Sequence, residues 1–175
     1  MLRKMRETGH FGELDWREGT PESICAQVAQ IFRVCETEVA LLELHGRMLN
    51  FLYPAELKTA GAIPLASSSV AARTARTKHA ELFNGFTEVK HSSIFELVKL
   101  GDTGLDEQVI QKLMSAPVVS ASGEVVGVIQ VSRKAPRPAA AGPDFTAEDL
   151  EKLESVARAV GKIMGKGKGV GQSAR

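Results

Sequence analysis

Gln130 and His91 are the side chains whose chemistry and position most favour contact with a ligand. Gln130 interrupts the otherwise apolar segment 125–131. If its face lines a cavity, the amide can donate a hydrogen bond to a ligand and accept one. Alternatively, it lies on a solvated sheet face or is satisfied by a neighbouring chain. His91 could hydrogen-bond a ligand or bind haem through its imidazole, or it could be a solvated loop histidine.

Aromatic side chains in the same part of the chain could form the wall of a cavity. Phe83, Phe86 and Phe95 are candidates for this wall, and the alternative is that they belong to the ordinary core of a small domain. The complete set of predicted ligand-binding residues is Gln130, Ser115, Phe83, Phe86, His91 and Phe95.

No pattern in the sequence predicts a catalytic site or a metal site. Ser67 to Ser69 lack a nucleophile elbow, and no histidine is placed by the sequence to activate them. The glycines at 101 and 104 lack the Lys-Ser or Lys-Thr that follows a phosphate-binding loop. The four histidines have no spacing typical of metal ligands. We therefore predict no catalytic residue and no metal, and the cofactor stays unknown.

The composition is that of one ordinary globular domain. The chain has 175 residues, of which 43% are hydrophobic and 25% charged, with a formal net charge of +1. So small a charge gives no global attraction to nucleic acid or to an acidic membrane. There is no secretory signal and no apolar run of the roughly 20 residues that span a bilayer. Cys25 and Cys35 fall in one predicted helix about 15 Å apart, so we expect two buried thiols in the cytoplasm.

Caps, turns and apolar spacing predict the helices and strands of the chain before residue 114. Thr20 can cap a first helix, Pro21 suits its first position, and apolar residues recur at helical spacing to Cys35. The other predicted elements are strands 38–44, 48–53, 61–65 and 80–83 and helices 67–78 and 92–100. The pattern is weakest between Ala80 and Gln111, and this segment is a candidate lid over a cavity.

Residues 114–120 and 124–133 form a predicted central hairpin. Because proline cannot donate a ladder hydrogen bond, we prefer a three-residue loop with a left-handed Gly123, which places Pro117 opposite Gly127. In this register one face of the hairpin carries Met114, Ala116, Val118, Val126, Val128, Gln130 and Ser132. The other face carries Val119, Val125, Gly127, Ile129 and Val131.

A capped amphipathic helix is predicted at residues 147–164. Thr146 and Asp149 approximate a capping box, and Phe145 can pack on Leu150. One apolar face of this helix holds Leu150, Leu153, Ala157, Val160 and Met164. The predicted organisation is an N-terminal arm at 1–19, one domain at 20–165 and a flexible Gly/Lys tail at 166–175.

Three local sequences resemble those of GAF domains. Residues 61–65 with 69–77 resemble the strand-to-helix passage of the family, 115–118 with 123–131 its central hairpin, and 145–149 the start of its last helix. The resemblance covers residues 20–165. It implies an α+β fold with a central antiparallel sheet of five or six strands. The N- and C-terminal helices are expected on one face, and a lid loop with small helices over a cavity on the other.

The residues that define three special classes of the family are absent. The Asn-Lys…Phe…Asp-Glu set of cyclic-nucleotide-binding members is not found near the lid. Neither cysteine lies where bilin-binding members attach their chromophore. Members that reduce free methionine sulfoxide use cysteines around the lid, and the chain has no cysteine after Cys35. The resemblance therefore favours a module that is not an enzyme.

The resemblance implies a cytoplasmic sensory domain of a bacterial signalling system. A small molecule or a partner protein would shift the population of lid states, and a homodimer formed through the terminal helices would pass the change to a separate output protein. We expect Leu153→Glu or Val160→Glu to weaken this dimer. The alternatives are a structural dimerisation module without a ligand and a small enzyme on the same fold.

Overall fold

The computed structural model describes residues 19–59, 61–86 and 109–173, with side chains described to Met164. Its helices are α1 (Pro21–Phe32), α2 (Val70–Thr77) and α3 (Ala147–Ser173). Its strands are β1 (Val39–His45), β2 (Met48–Tyr53), β3 (Ile63–Pro64), β4 (Glu81–Phe83), β5 (Val109–Val119) and β6 (Val125–Ala135). The six strands form one antiparallel sheet in the order β3-β2-β1-β6-β5-β4. The predicted α+β fold is confirmed.

Each face of the sheet has its own apolar layer. The terminal helices α1 and α3 cover one face, where Val28, Leu153 and Val160 pack with Ile129 of β6. Helix α2 covers the other face, where its alanines pack with Leu42, Leu49, Leu113 and Val128. The sheet is therefore buried on both sides, which explains why its central strands are apolar at successive positions.

The starts of both long helices form as their sequences predict. The side chain of Thr20 accepts a hydrogen bond from the backbone N–H of Ser23 at 3.1 Å, and Pro21 occupies the first position of α1. Thr146 and Asp149 form a reciprocal pair at the start of α3, with N–H to side-chain oxygen distances of 2.8 and 3.1 Å. These caps satisfy N–H groups that have no partner within a helix.

Helix α1 is shorter than predicted, and the two cysteines have different surroundings. The helix ends at Phe32, and Arg33 closes it in the left-handed conformation with its N–H bonded to the carbonyl of Ala29. Cys35 therefore lies beyond the helix and is exposed, whereas Cys25 is completely buried. The prediction of two buried thiols in one helix is wrong for Cys35.

The two thiols are expected to differ in reactivity. Burial raises the pKa of Cys25 above its usual range, and the carboxylates of Glu22 and Glu36 raise it further. Because the thiolate is the reactive species, Cys25 should be inert in the folded protein. Titration with a disulfide reagent at pH 8 should give one rapid equivalent, from Cys35, and the second only after denaturation. Two rapid equivalents in the native protein would contradict the packing of α1, and Cys35→Ser should remove the rapid phase.

The register of the central hairpin differs from the prediction by one residue. The loop itself is as expected, since Ser120 donates to the carbonyl of Glu124 at 2.8 Å and Gly123 has a φ of +94°. However, Val118 pairs with Gly127 and Val119 with Val125. Val126 is therefore an extra, bulged residue of β6, and it places Pro117 opposite Val128 instead of Gly127.

The bulge also corrects the predicted faces of the hairpin. Met114, Ala116 and Val118 lie with Ile129 and Val131 beneath the terminal helices. Val128 lies in the opposite layer, beneath α2. Gln130 lies two residues after Val128 and is paired with Ser115. Its side chain therefore lies on the face of Val128, and not on the predicted face with Met114 and Ala116.

Two other boundaries differ from the sequence-based expectations. Strand β5 begins at Val109, five residues before the predicted start, so the C-terminal end of the predicted lid belongs to the sheet. The N-terminal end of that lid forms β4, as predicted, and residues 87–108 lie outside the described part of the chain. Helix α3 continues to Ser173 instead of ending at Met164. In the described parts of the chain, no helix has both the length and the apolar character required to cross a membrane.

Candidate functional site

A buried chain of polar side chains crosses the interface between the sheet and α2. The Gln130 amide nitrogen donates to the Ser115 hydroxyl at 3.1 Å, and the hydroxyls of Ser115 and Thr74 lie 2.7 Å apart. Thr74 in turn donates to the backbone carbonyl of Val70 at 2.9 Å. All three side chains are at most 3% exposed. The chain therefore connects β6, β5 and α2 within an otherwise apolar layer.

The direction of these hydrogen bonds follows from the number of protons available. A hydroxyl carries one hydrogen, and that of Thr74 is used toward Val70. Ser115 must therefore donate to Thr74, and its oxygen is then available to accept from Gln130. The hydrogen bond to Ser115 uses one N–H of the Gln130 amide and does not involve the amide carbonyl oxygen. That oxygen is an acceptor suited to a ligand donor.

Aromatic and charged side chains flank the polar chain at the edge of the sheet. The rings of Phe83 and Phe86 meet edge to face, with centroids 6.1 Å apart. Arg73 of α2 lies over the Phe83 ring at 5.9 Å and forms an ion pair of 3.0 Å with Glu81. Since both charged side chains are about one-third exposed, the pair contributes at most about 1 kcal/mol to stability and mainly orients the guanidinium.

The structure brings together part of the predicted ligand-binding set. Gln130 and Ser115 are directly bonded, and Phe86 belongs to the apolar layer beneath α2, with Phe83 packed against it. Phe86 is 1% exposed, as an ordinary core residue would be, whereas Phe83 is half-buried. His91 and Phe95 lie outside the described residues.

Thr74 and Arg73 were not predicted as site residues. Thr74 is 41 positions from Ser115 in the sequence, so no local pattern indicates their contact. The available signal was a threonine on the apolar face of the alanine-rich helix 70–77, where a hydroxyl needs a partner. Arg73 is one residue away and carried no comparable signal.

The group in this arrangement best suited to a polar partner is the carbonyl oxygen of Gln130, since the protons of both hydroxyls are used within the chain. No cluster of three or more His, Cys, Asp or Glu side chains that could hold a metal occurs within the described residues. Cys25, the buried thiol of α1, packs in the layer between the terminal helices and the sheet, on the face opposite Gln130. Hydrogen bonding and apolar contact are therefore the chemistry that these residues provide.

A six-stranded antiparallel sheet with the terminal helices on one face and a small helix on the other defines an α+β module of one domain. The chain belongs to the GAF domain family, whose model matches residues 20–164. Among curated proteins, none matches this sequence.

Solved structures show the same fold. The GAF domain from Acinetobacter phosphoenolpyruvate-protein phosphotransferase is 14% identical, with a TM-score of 0.63, over 86% of this chain and 83% of that one. A methyl-accepting chemotaxis protein is 12% identical, with a TM-score of 0.57, over 94% of each chain. The type II free methionine-R-sulfoxide reductase from Thermoplasma acidophilum is 14% identical, with a TM-score of 0.57, over 83% of this chain and 89% of that one. The same fold thus occurs in a domain of a phosphotransferase, in a chemotaxis protein and in a sulfoxide reductase.

Proposed function

We propose that the protein is a non-enzymatic sensory GAF domain that binds a small molecule near Gln130 and responds through its terminal helices as a homodimer. The observation that carries the proposal is the buried polar chain of Gln130, Ser115 and Thr74, on the sheet face away from α1 and α3. The carbonyl oxygen of the Gln130 amide takes no part in this chain, and a hydrogen-bond donor of a ligand can bond to it. The phosphotransferase and chemotaxis proteins of the same fold support a regulatory role.

Strand β6 offers a direct mechanical connection between the ligand and the terminal helices. Gln130 lies between Ile129 and Val131, and both of these side chains pack in the layer beneath α1 and α3. Successive side chains of a strand point to opposite faces, so a backbone shift at Gln130 displaces the contacts of both neighbours. A closely packed layer does not deform continuously but changes from one packed arrangement to another. Binding of a ligand at Gln130 would therefore favour one position of α1 and α3 over the other.

The positions of the cysteines support a role other than reduction of methionine sulfoxide. Cys25 is buried in α1 beneath the opposite face of the sheet, and Cys35 is exposed just after that helix. Neither belongs to the polar chain around Gln130, where a substrate would be held. Both thiols are unpaired, which accords with a reducing compartment such as the cytoplasm.

The proposed dimer must use the outer surface of the terminal helices. Leu153 and Val160 are completely buried within the subunit, so Leu153→Glu or Val160→Glu would disrupt the core of the subunit itself and could not report on a dimer surface. The outward surface of α3 instead carries charges of both signs, including Glu148, Glu151 and Lys152. Charges of opposite sign on one helix allow two copies to pair in an antiparallel arrangement.

Gln130→Leu tests the ligand part of the proposal. The variant keeps a side chain of similar size but removes the amide, so we expect binding to fall at least tenfold while the fold is retained. The protein can be incubated with a small-molecule extract of cells, separated from unbound compounds by gel filtration and denatured. Mass spectrometry then identifies and quantifies the compound that was retained.

Ser132→Ala is the matched control for this experiment. Ser132 lies two residues along β6 and is also buried, and its hydroxyl donates to the backbone carbonyl of Glu38 instead of to the polar chain. We expect this variant to retain the compound as the wild type does. Equal retention by Gln130→Leu, or no retained compound in the wild type, would contradict the proposed site.

A further inference from the structure

A recess that does not include Gln130 lies where α3 passes the free end of the central hairpin. Strand β4 pairs with β5 only at Leu113–Ser115, so the last residues of β5 extend beyond their neighbouring strand. The space beside them forms a cleft of about 460 Å³. This volume falls in the range of about 300–1,000 Å³ that is usual for small-molecule sites.

The cleft concentrates positive charge in a protein that is almost neutral overall. It is lined by three cations, Lys78, Arg158 and Lys162, and by one carboxylate, Glu154. Within the described part of the chain, neither lysine forms an ion pair, and the guanidinium of Arg158 donates only to the hydroxyl of Ser155, at 3.2 Å. The three cations are exposed and therefore available to an anion.

The remaining lining is partly apolar. Pro117, Val119 and Ala121 contribute this surface, and Ser120 adds a hydroxyl. Inorganic phosphate alone would not use the apolar part. The combination suits a molecule that has an anionic head and an apolar body.

The backbone fixes the positions from which the three cationic side chains project. Lys78 ends α2 in the left-handed conformation, with its N–H bonded to the carbonyl of Thr74 at 2.9 Å. Arg158 and Lys162 are four residues apart, so they project from the same side of α3. Gly161 lies against the carbonyl of Val119, which fixes α3 beside the end of β5.

We infer that this cleft binds a small phosphomonoester, with its phosphate between Lys78, Arg158 and Lys162 and its body against Pro117 and Val119. A phosphate monoester carries a charge of about −1.5 to −2 at pH 7 and three strong acceptor oxygens. A ligand with this charge suits three cations better than a ligand with one carboxylate group. The guanidinium of Arg158 can donate two parallel hydrogen bonds to phosphate oxygens.

Phenyl phosphate is a suitable probe, because it combines a dianionic head with a flat apolar body. Titration of the full-length ¹⁵N-labelled protein should produce saturable shifts of the backbone amide signals of Ser120 and Lys162. Arg158→Ala and Lys162→Ala should each raise the dissociation constant at least tenfold. Lys152→Ala removes an exposed cation of the same helix outside the cleft and should leave the constant unchanged.

Three outcomes would overturn the inference. Shifts that do not saturate would show that no site exists. An equal loss of affinity in Lys152→Ala would show general charge attraction, and equal affinity for inorganic phosphate would show that the apolar wall is unused. Saturable binding of phenyl phosphate by Gln130→Leu would show that the cleft exists without the proposed Gln130 site, so failure of one and failure of the other are distinguishable.

Discussion

Leu153→Glu is expected to unfold the domain. Leu153 is completely buried between α3 and the sheet, so the substitution removes apolar contact and places a carboxylate where water cannot reach it. Such a change costs more than about 4 kcal/mol. This is comparable to the whole free energy of unfolding of a small domain, about 5–15 kcal/mol. Urea denaturation followed by circular dichroism should show a large shift of the midpoint or no folded baseline.

Lys152→Glu is the control for this prediction. Lys152 is the preceding residue of α3 and is exposed, so the same introduced side chain should change the midpoint little. A Leu153→Glu protein that unfolds at the wild-type urea concentration would contradict the packing of α3 on the sheet. It would also restore the sequence-based idea that Leu153 faces a second subunit.

Gly161→Ala is expected to destabilise the protein, although alanine is normally better than glycine within a helix. A Cβ atom at position 161 would lie 1.9 Å from the carbonyl oxygen of Val119 and 2.6 Å from its carbon. These are backbone atoms of β5, so the helix has to move away from the sheet. The usual gain of about 1 kcal/mol on replacing helical glycine is therefore outweighed, and we expect a net loss of about 1–3 kcal/mol.

Urea denaturation of Gly161→Ala and of Ser155→Ala, measured side by side, distinguishes the clash with Val119 from the general effect of alanine on helix stability. Ser155 lies on the same helix and is half-exposed, so its replacement should be neutral or slightly stabilising. An increase in stability for Gly161→Ala would mean that α3 does not approach Val119 this closely. The position of Arg158 and Lys162 beside the cleft would then need revision.

The elements that local chemistry determines could be predicted from the sequence. Thr20 with Pro21, and Thr146 with Asp149, place the starts of α1 and α3 because a cap needs only nearby residues. The end of α1 could not be predicted in the same way. The left-handed residue there is Arg33, whereas the usual signal for such an ending is glycine.

The register of the central hairpin shows why the sequence alone does not determine which residues share a face of the sheet. Residues 125–131 are almost continuously apolar because both faces of β6 are buried, so the hydrophobic pattern favours no register. The bulge at Val126 then changes the pairing without changing the loop. Gln130 could be identified as unusual from its neighbours, but its connection to Thr74 depends on a contact between distant segments.

Native mass spectrometry of the freshly purified protein distinguishes a ligand-binding dimer from an empty monomer. We expect the mass of two chains together with a small molecule that is lost when the protein is denatured. The same measurement on Gln130→Leu should show two chains without that molecule. A wild-type spectrum containing only a single chain with no added mass would contradict a ligand-binding dimer.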